Sequence, residues 1–162
     1  MEKIRFDDID AIRAKISQEF GPFGGSLEVS QEMINQFAEL TGDKQWIHID
    51  VARCKQESPF GTPIAHGFLT LSLLPKIGAS SEVEPEWTLV GQGNVVNYGS
   101  DKVRFLSPVP AGSKLHSRSR LAAVEANPKG TRILNAIVVH VVGSDRPALL
   151  YHMILLYQPP RS

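Results

Sequence analysis

Apolar residues recur at helical spacing in two stretches of the N-terminal part of the chain. The first stretch predicts a short amphipathic helix over Asp8–Phe20. The second predicts a helix over Gln31–Thr41, with Ser30 as its N-cap and Gly42 as the left-handed residue that ends it. Between the two helices, residues 26–29 alternate polar and apolar side chains, which is typical of a strand.

The middle of the chain contains a helix that is apolar on nearly all sides. It begins at His66-Gly67, and its apolar positions run over Phe68–Ile77. A helix of this kind is buried rather than laid on a surface, so we predict a long central helix. A short helix over Asp50–Gln56 and a proline-punctuated loop over 58–63 are predicted to precede it.

The C-terminal half of the chain changes to short β-rich runs separated by turn signals. The predicted strands are Gly93–Tyr98, Lys102–Phe105, Ser113–Val124, Thr131–Val142 and Ala148–Tyr157. Helices followed by strands form the α+β pattern, in which an antiparallel sheet is segregated from its helices. At 162 residues, we predict one domain over 1–162 whose antiparallel sheet wraps around the long apolar helix.

Charge and cysteine content exclude several classes of protein. The net charge is +0, with basic and acidic residues mixed, so the basic stripe of a nucleic-acid-binding protein is absent. The apolar runs are too short to span a bilayer, and charged residues interrupt the start of the chain where a signal peptide would need an apolar core. Cys54 is the only cysteine, which fits a reducing compartment, so we predict a cytoplasmic protein.

An acid and an imidazole stand close together just after the second predicted helix. Asp43 directly follows Gly42, and His48 comes five residues later. Five helical steps of about 100° would turn the two side chains apart, so they can converge only if the chain turns between them. Each residue alone has an ordinary structural explanation, as a turn aspartate or a core histidine. Together they can hold one water and divide acid and base work, which predicts an enzyme.

The pair His66-Gly67 is a second candidate site because it starts the buried helix. Backbone N–H groups at a helix start are unpaired, and Gly67 has no side chain to keep a ligand oxygen away from its amide. The alternative is that His66 caps the helix and Gly67 permits tight packing. The spacing alone leaves both explanations open.

The remaining polar residues carry weaker signals. Lys102 and Arg104 alternate onto one strand face, where a solvated surface is the ordinary explanation. The three other histidines lack metal-ligand spacing, and Cys54 lacks the surroundings of a nucleophile. No glycine-rich phosphate loop or dinucleotide fingerprint is present in the sequence. These absences narrow the range of possible functions.

Two segments of the sequence resemble a known family. Thr41-Gly42-Asp43 with His48, followed by Pro63–Phe68, is similar to the hydratase motif of the MaoC-like (R)-specific enoyl-CoA hydratases, which have the hot dog fold. The strand region around Asn97 extends the resemblance, which covers about Val29 to Leu156. Many family members have Asn-Pro where this chain has Gln45-Trp46, a version similar to nodulation protein N-like sequences. This departure bears on the chain length and identity of the substrate.

The resemblance implies a reaction and a set of site residues. Asp43 and His48 would bind the attacking water, and Gly67 would hydrogen-bond the thioester carbonyl of a trans-2-enoyl-CoA to give a (3R)-3-hydroxyacyl-CoA reversibly. Neither a metal nor a cofactor is required, and a homodimer joined edge to edge through its sheets is implied. The further substrate-binding candidates are His66, Asn97, Lys102 and Arg104, the last two near the phosphates of CoA.

Two other functions are compatible with the same fold. A hot dog thioesterase would hydrolyse acyl-CoA, and a non-catalytic protein would bind acyl thioesters without turnover. The acidic residue and imidazole followed by His-Gly favour the hydratase over both. The carrier, which is CoA or acyl carrier protein, and the acyl length are not specified by the sequence.

Overall fold

A five-stranded antiparallel sheet forms most of the structure, with its strands in the order β2-β5-β6-β7-β4. The computed structural model describes residues 1–161. The strands of the large sheet are β2 Ser26–Val29, β4 Asn94–Phe105, β5 Ser113–Asn127, β6 Gly130–Val141 and β7 Pro147–Gln158. A separate two-stranded parallel sheet pairs β1 Glu2–Arg5 with β3 Trp87–Val90.

Six short helices complete the described chain. They are α1 Ile9–Arg13, α2 Gln31–Thr41, α3 Trp46–Ile49, α4 Val51–Glu57, α5 Gly67–Ser72 and α6 Leu74–Ala79. Residues of α2, α5 and α6 pack on one face of the large sheet, where Ile34, Leu115 and Leu149 are fully buried. A second cluster around Ile4 and Ile12 joins the small sheet and α1 to the far end of the large sheet. This separation of helices from an antiparallel sheet confirms the predicted α+β class.

The predictions for the segment that leads to the candidate site are confirmed. Strand β2 and helix α2 have the predicted bounds. The Ser30 hydroxyl accepts a hydrogen bond from the Met33 amide at 3.2 Å, as an N-cap does. Gly42 has φ 79° and its amide donates to the carbonyl of Ala38, so it ends the helix in the left-handed region.

Loss of the Ser30 cap is expected to weaken the helix that carries the candidate acid. Ser30→Ala leaves the Met33 amide without its acceptor, and such changes cost about 1 kcal/mol of unfolding free energy. Ser30→Asp keeps an acceptor oxygen and is expected to match the wild type. Urea unfolding of the three proteins measures the difference, and equal stability of all three would contradict the assigned cap.

The first helix is shorter than predicted. It ends at Arg13 rather than Phe20, although Ile12 is buried as expected. The following residues run along the free edge of β5, where the amides of Ser17, Gly21 and Gly24 donate to carbonyls of that strand. Tertiary pairing with a sheet edge therefore overrides the helical periodicity of this segment.

The central apolar helix is divided in two, so the prediction of one long helix is wrong in this respect. Helix α5 ends at Ser72, Leu73 joins the two pieces, and α6 begins at Leu74. Pro75 occupies the first turn of α6, and proline has no amide hydrogen with which to continue the helix. Phe68, which was expected to be buried, is 64% exposed.

Other differences lie in the strands. The two runs predicted over residues 93–105 form the single strand β4, with register shifts after Asn97 and Ser100. The pairing of β1 with β3 was not predicted, because it joins segments that are far apart in the sequence. Within residues 1–161, every helix is too short or too polar to cross a membrane.

Candidate active site

Asp43 stands at the exposed end of helix α2. The left-handed turn at Gly42 directs the chain away from the helix axis, so the Asp43 side chain is the first one beyond the helix. Its Oδ1 atom accepts a long hydrogen bond of 3.4 Å from the amide of Gln45. The other oxygen has no partner among the hydrogen bonds of residues 1–161, so the carboxylate can accept further hydrogen bonds from a ligand.

His48 is placed by helix α3, a single turn that the sequence did not predict. The ring is 7% exposed, and its Nδ1 donates to the carbonyl of Ile64 at 2.7 Å. The carbonyl of His48 accepts a hydrogen bond from Gln31 Nε2 at 2.7 Å, which joins α3 to the start of α2. Because a carbonyl can only accept, Nδ1 carries the hydrogen and Nε2 of the neutral ring is left as a basic acceptor.

His66 contacts both members of the predicted dyad. Its Nε2 donates to the main-chain carbonyl of Asp43 at 2.9 Å, and its ring stacks on that of His48 with centroids 3.8 Å apart. The residue is 3% exposed and makes no side-chain hydrogen bond as an N-cap of α5. His66, which was predicted to bind substrate, therefore already uses Nε2 for a bond within the protein.

Gly67 is the first residue of α5, so its amide has no acceptor within the helix. The ring of Phe105 lies against it. A β-carbon at position 67 would be 2.8 Å from Phe105 Cγ and Cδ1, closer than packed side chains approach. Glycine therefore permits this contact, as the alternative explanation of tight packing proposed, and Gly67 also lines the two cavities described next.

The two predicted catalytic side chains converge. Single nitrogen or carboxylate oxygen atoms of Asp43, His48 and His66 all lie within 4.8 Å of one another. A small cavity of about 230 Å³ contains both dyad residues together with Gly67, and a second cavity of about 300 Å³ reaches His48 and Gly67 from the side of Phe105. A water-sized molecule can therefore contact the carboxylate and the imidazole next to the Gly67 amide.

Burial changes the acid–base behaviour of His48. Desolvation is the main cause that lowers the pKa of His48 below its ordinary value of 6.5, and the nearby His66 lowers it further. The hydrogen bond to Ile64 and the charge of Asp43 oppose this shift. The ring is consequently neutral near pH 7 and available as a base.

Acidification is expected to destabilise the protein through the same effect. The pKa values of His48 and His116 are lowered in the folded state, so the unfolded chain binds more protons once the pH falls below about 6.5, and unfolding then becomes easier. We expect the urea midpoint to fall between about pH 7.5 and pH 5.5, and to fall less in His48→Gln. An identical decline in wild type and variant would contradict the shift at His48.

The same three residues are the candidate ligands for a metal ion. Two imidazoles and a carboxylate form a donor set that suits several transition metals. Each ring, however, already donates one nitrogen to a main-chain carbonyl, and the remaining nitrogen of His66, Nδ1, is buried without a partner. A metal chelator is therefore a control in the assays below.

The other predicted substrate residues lie on β4 and are not among the residues that line the two cavities at the dyad. Asn97 lines a separate cavity of about 570 Å³ between α5, α6 and the sheet. Lys102 and Arg104 are exposed, and they alternate with Val103, which packs on the core. Neither cation lies within 4 Å of a carboxylate of residues 1–161.

Sequence reasoning did not identify the main-chain and aromatic parts of the site. The carbonyl of Ile64 orients His48, and Phe105 closes the space beside Gly67. The only signals for them were the apolar residue before Ala65 and a hydrophobic strand end, both of which are common in proteins. Such partners become visible only when segments distant in the sequence are packed together.

Known proteins resemble this chain over most of its length. Residues 22–140 match the family described as "MaoC like domain". The "3-hydroxyacyl-thioester dehydratase Z" of Mycobacterium tuberculosis is 42% identical over 132 residues, which cover 81% of this chain and 83% of the relative. "Nodulation protein N" of Rhizobium meliloti is 36% identical over 160 residues, covering 98% of this chain and 94% of that protein. The assignment of Gln45-Trp46 to a distinct subgroup stays a prediction.

Solved structures share the architecture. The "Monoamine oxidase regulatory protein" of Archaeoglobus superposes with a TM-score of 0.72 at 23% identity, covering 99% of this chain and 98% of the other. The (R)-hydratase from A. caviae, described as involved in PHA biosynthesis, gives a TM-score of 0.65 at 20% identity over 87% of this chain and 98% of the other. The predicted hot dog fold is thereby confirmed.

The family model matches most of the chain, and two of the relatives are named as dehydratases. Both findings support the same family and the same class of reaction. The protein belongs to the MaoC-like dehydratase family and is a hydro-lyase with a hydratase or dehydratase role.

Proposed function

We propose that the protein is an (R)-specific enoyl-CoA hydratase, which adds water to a trans-2-enoyl-CoA and gives a (3R)-3-hydroxyacyl-CoA reversibly. The observation that carries this proposal is the approach of the polar atoms of Asp43 and His48 to within 4.8 Å beside Gly67. The thioester substrate is supported by the relative named 3-hydroxyacyl-thioester dehydratase Z, the CoA carrier by the one named 3-hydroxybutyryl-CoA dehydratase, and the stereochemistry by the resemblance to the (R)-hydratase.

The water is activated jointly by the two side chains. His48 Nε2 has no hydrogen in the neutral ring and takes one proton from the water, while the Asp43 carboxylate accepts a hydrogen bond from the hydrogen that stays on the oxygen and so orients it. The oxygen bonds to the β-carbon of the enoyl thioester as its π electrons move toward the carbonyl oxygen. The proton held by the dyad then passes to the α-carbon.

The developing negative charge on the thioester oxygen needs a donor. The Gly67 amide has no acceptor within its helix, and Gly67 lines both cavities that contain His48. A preorganised main-chain donor at this point stabilises the enolate-like transition state more than the ground state. The thioester itself is the electron sink, so the proposed reaction requires no cofactor.

The carrier and acyl chain have candidate contacts outside the dyad. The cavity of about 570 Å³ that includes Asn97 is lined mainly by apolar residues of α5, α6 and the sheet, and it is large enough for an acyl chain. Arg104 directly precedes Phe105, which lines the cavity beside His48, and Lys102 lies two positions before Arg104 on β4. Neither cation has a carboxylate partner within residues 1–161, so both suit phosphate groups of CoA.

One assay separates the proposed reaction from its alternatives. Purified protein is incubated with crotonyl-CoA, with and without a metal chelator, and both the enoyl absorbance and the free thiol are followed. We expect the absorbance to fall without release of CoA and without an effect of the chelator. Release of CoA would support a thioesterase, and binding without either change would support a non-catalytic protein; each would refute the hydratase.

We also propose that two copies pair through strand β4. This strand is the uncovered edge of the large sheet, nearly all of its residues are exposed, and Val95, Val96 and Tyr98 present apolar surface there. The opposite edge is partly covered by the chain between Ser17 and Gly24. An exposed apolar edge strand favours pairing with another strand, and a second copy provides one.

The dimer is expected to depend on the apolar edge. Sedimentation should give twice the 17.8 kDa of one chain, and Val96→Lys with Tyr98→Lys should shift the protein toward the monomer. Val142→Lys, an exposed apolar position outside β4, is the matched control and should leave the mass unchanged. A monomeric wild type would refute this assembly without bearing on the chemistry of the dyad.

A further inference from the structure

We propose that His66 is a positioning residue of the hydratase site, not a substrate ligand: it fixes the Asp43 loop, the His48 ring and the Gly67 amide relative to one another. This inference rests on the proposed function for its kinetic consequences. The structural part of it, a tether made by one imidazole, can be tested without turnover.

Besides the bond from His66, the loop that carries Asp43 is held by local contacts: Lys44 pairs with Glu39 at 2.7 Å, and the Gln45 carbonyl accepts from the His48 amide at 3.0 Å. Among residues 1–161, the amides of Asp43, Lys44 and Gln45 reach acceptors no more than two positions away, at Thr41, Gly42 and Asp43. Two of these three bonds are 3.4 Å long. The bond from His66 Nε2 to the Asp43 carbonyl is 2.9 Å and spans 23 positions, so it ties the loop to a segment that is distant in the sequence.

The same ring limits the orientation of the other dyad member. The rings of His66 and His48 are stacked with an interplanar angle of 25°. The ring of Phe37, which belongs to helix α2, has its centroid 5.0 Å from that of His66. His48 is further held by Nδ1 on the Ile64 carbonyl, so it can rotate little while the stack persists. His66 therefore touches the imidazole with its face and the acid loop with its edge.

The third group, the Gly67 amide, is connected to His66 through the main chain. Gly67 is the next residue after His66, so the amide proposed to bind the thioester oxygen is attached directly to the anchoring residue. A movement of the His66 ring would change the distance between the acid loop and this amide. A displacement of about 1 Å in such an arrangement can lower the rate by about a hundredfold.

The hydrogen-bond pattern defines which substitutions separate the two contacts. The Asp43 carbonyl can only accept, so Nε2 of His66 carries the hydrogen, and the buried Nδ1 has no partner. The side-chain amide of glutamine can place a donor near the position of Nε2 but has no ring. Phenylalanine keeps a stacking ring but has no donor.

Kinetics of these two variants test the positioning role. His66→Phe is expected to lower kcat on crotonyl-CoA by about 10- to 100-fold with KM changed less than about threefold, because the ground-state contacts remain. His66→Gln is expected to retain kcat within about fivefold. The reverse order of the two variants, or a rise in KM with unchanged kcat, would overturn the proposal.

A double-substitution cycle tests whether His66 acts through Asp43. In an Asp43→Asn background, His66→Phe should reduce the remaining kcat by less than about threefold, since the acid that it positions is already lost. Full additivity would mean that His66 acts independently and would overturn the proposal. If His66→Phe does not fold, His66→Asn replaces it, because asparagine caps a helix well but is too short to reach the Asp43 carbonyl.

Hydrogen exchange provides a measurement that does not depend on activity. Amides of residues 43–45 should exchange about tenfold faster in His66→Phe than in the wild type and in His66→Gln, while amides of the β5–β6 pair remain unchanged. Equal exchange in all three proteins would overturn the tether. A wild type that protects this loop but does not hydrate crotonyl-CoA would refute the proposed function and leave the tether intact.

Discussion

Asp43→Asn is expected to lower kcat for hydration of crotonyl-CoA by at least about a hundredfold, the usual effect of removing acid–base catalysis. The exchange of one carboxylate oxygen for an amide nitrogen removes the charge that orients the water. Because Asp43 is exposed, we expect the substitution to leave packing and stability unchanged. His48→Gln should have an effect of similar size, because the variant lacks the basic Nε2 of the ring that the Ile64 carbonyl orients. Steady-state kinetics with matched unfolding curves provide the measurement.

The control for these substitutions lies in the same segment. Asp50 is also an exposed carboxylate near His48, but it caps helix α4 by accepting from the Arg53 amide at 2.9 Å. Asp50→Asn preserves an N-cap acceptor and is expected to change kcat by no more than about twofold. Normal turnover in both Asp43→Asn and His48→Gln would contradict the dyad, and the mechanism would then need other residues.

Gly67→Ala is expected to disturb the donor as well as the packing of the site. Its β-carbon would lie 2.8 Å from two ring atoms of Phe105, so the ring or the helix start must move. Overpacking of this kind costs about 1–3 kcal/mol of stability, and a displaced amide should lower kcat/KM by at least about tenfold. Unfolding curves and kinetics on crotonyl-CoA measure the two effects.

Two further variants test whether the contact with Phe105 causes the expected losses in Gly67→Ala. Gly78 lies within α6 with no atom near its missing β-carbon, so Gly78→Ala is expected to raise stability by up to about 1 kcal/mol. Phe105→Leu combined with Gly67→Ala should recover part of the lost stability because the smaller side chain can yield. An unchanged Gly67→Ala protein would mean that the Phe105 contact does not constrain the site.

Local signals were sufficient for the helix that leads to the site. Ser30 and Gly42 each act through hydrogen bonds to residues within four positions, so their effects are visible in the sequence. The break at Leu73 could have been predicted from Pro75, but the continuous apolar run concealed it. The end of α1 and the pairing of β1 with β3 depend on distant strands, which periodicity does not report.

The site was predictable in its residue types more than in its contacts. The sequence indicated that Asp43 and His48 could meet only if the chain turned, and helix α3 provides that turn. The role of His66 could not be predicted, because its partner is a main-chain carbonyl 23 positions away and every residue except the chain end has such a carbonyl. The types of side chain at a site can be read from the sequence, whereas their main-chain hydrogen-bond partners depend on tertiary packing.

The single thiol of the protein provides an internal probe of this region. Cys54 on α4 is 0% exposed, its Sγ lies 3.6 Å from the carbonyls of Trp46 and Ile47, and burial raises its pKa. A buried, protonated thiol reacts slowly with alkylating reagents. Labelling of native protein therefore requires that the segment bearing His48 separates from its surroundings, and the rate of iodoacetamide incorporation reports how often it does so.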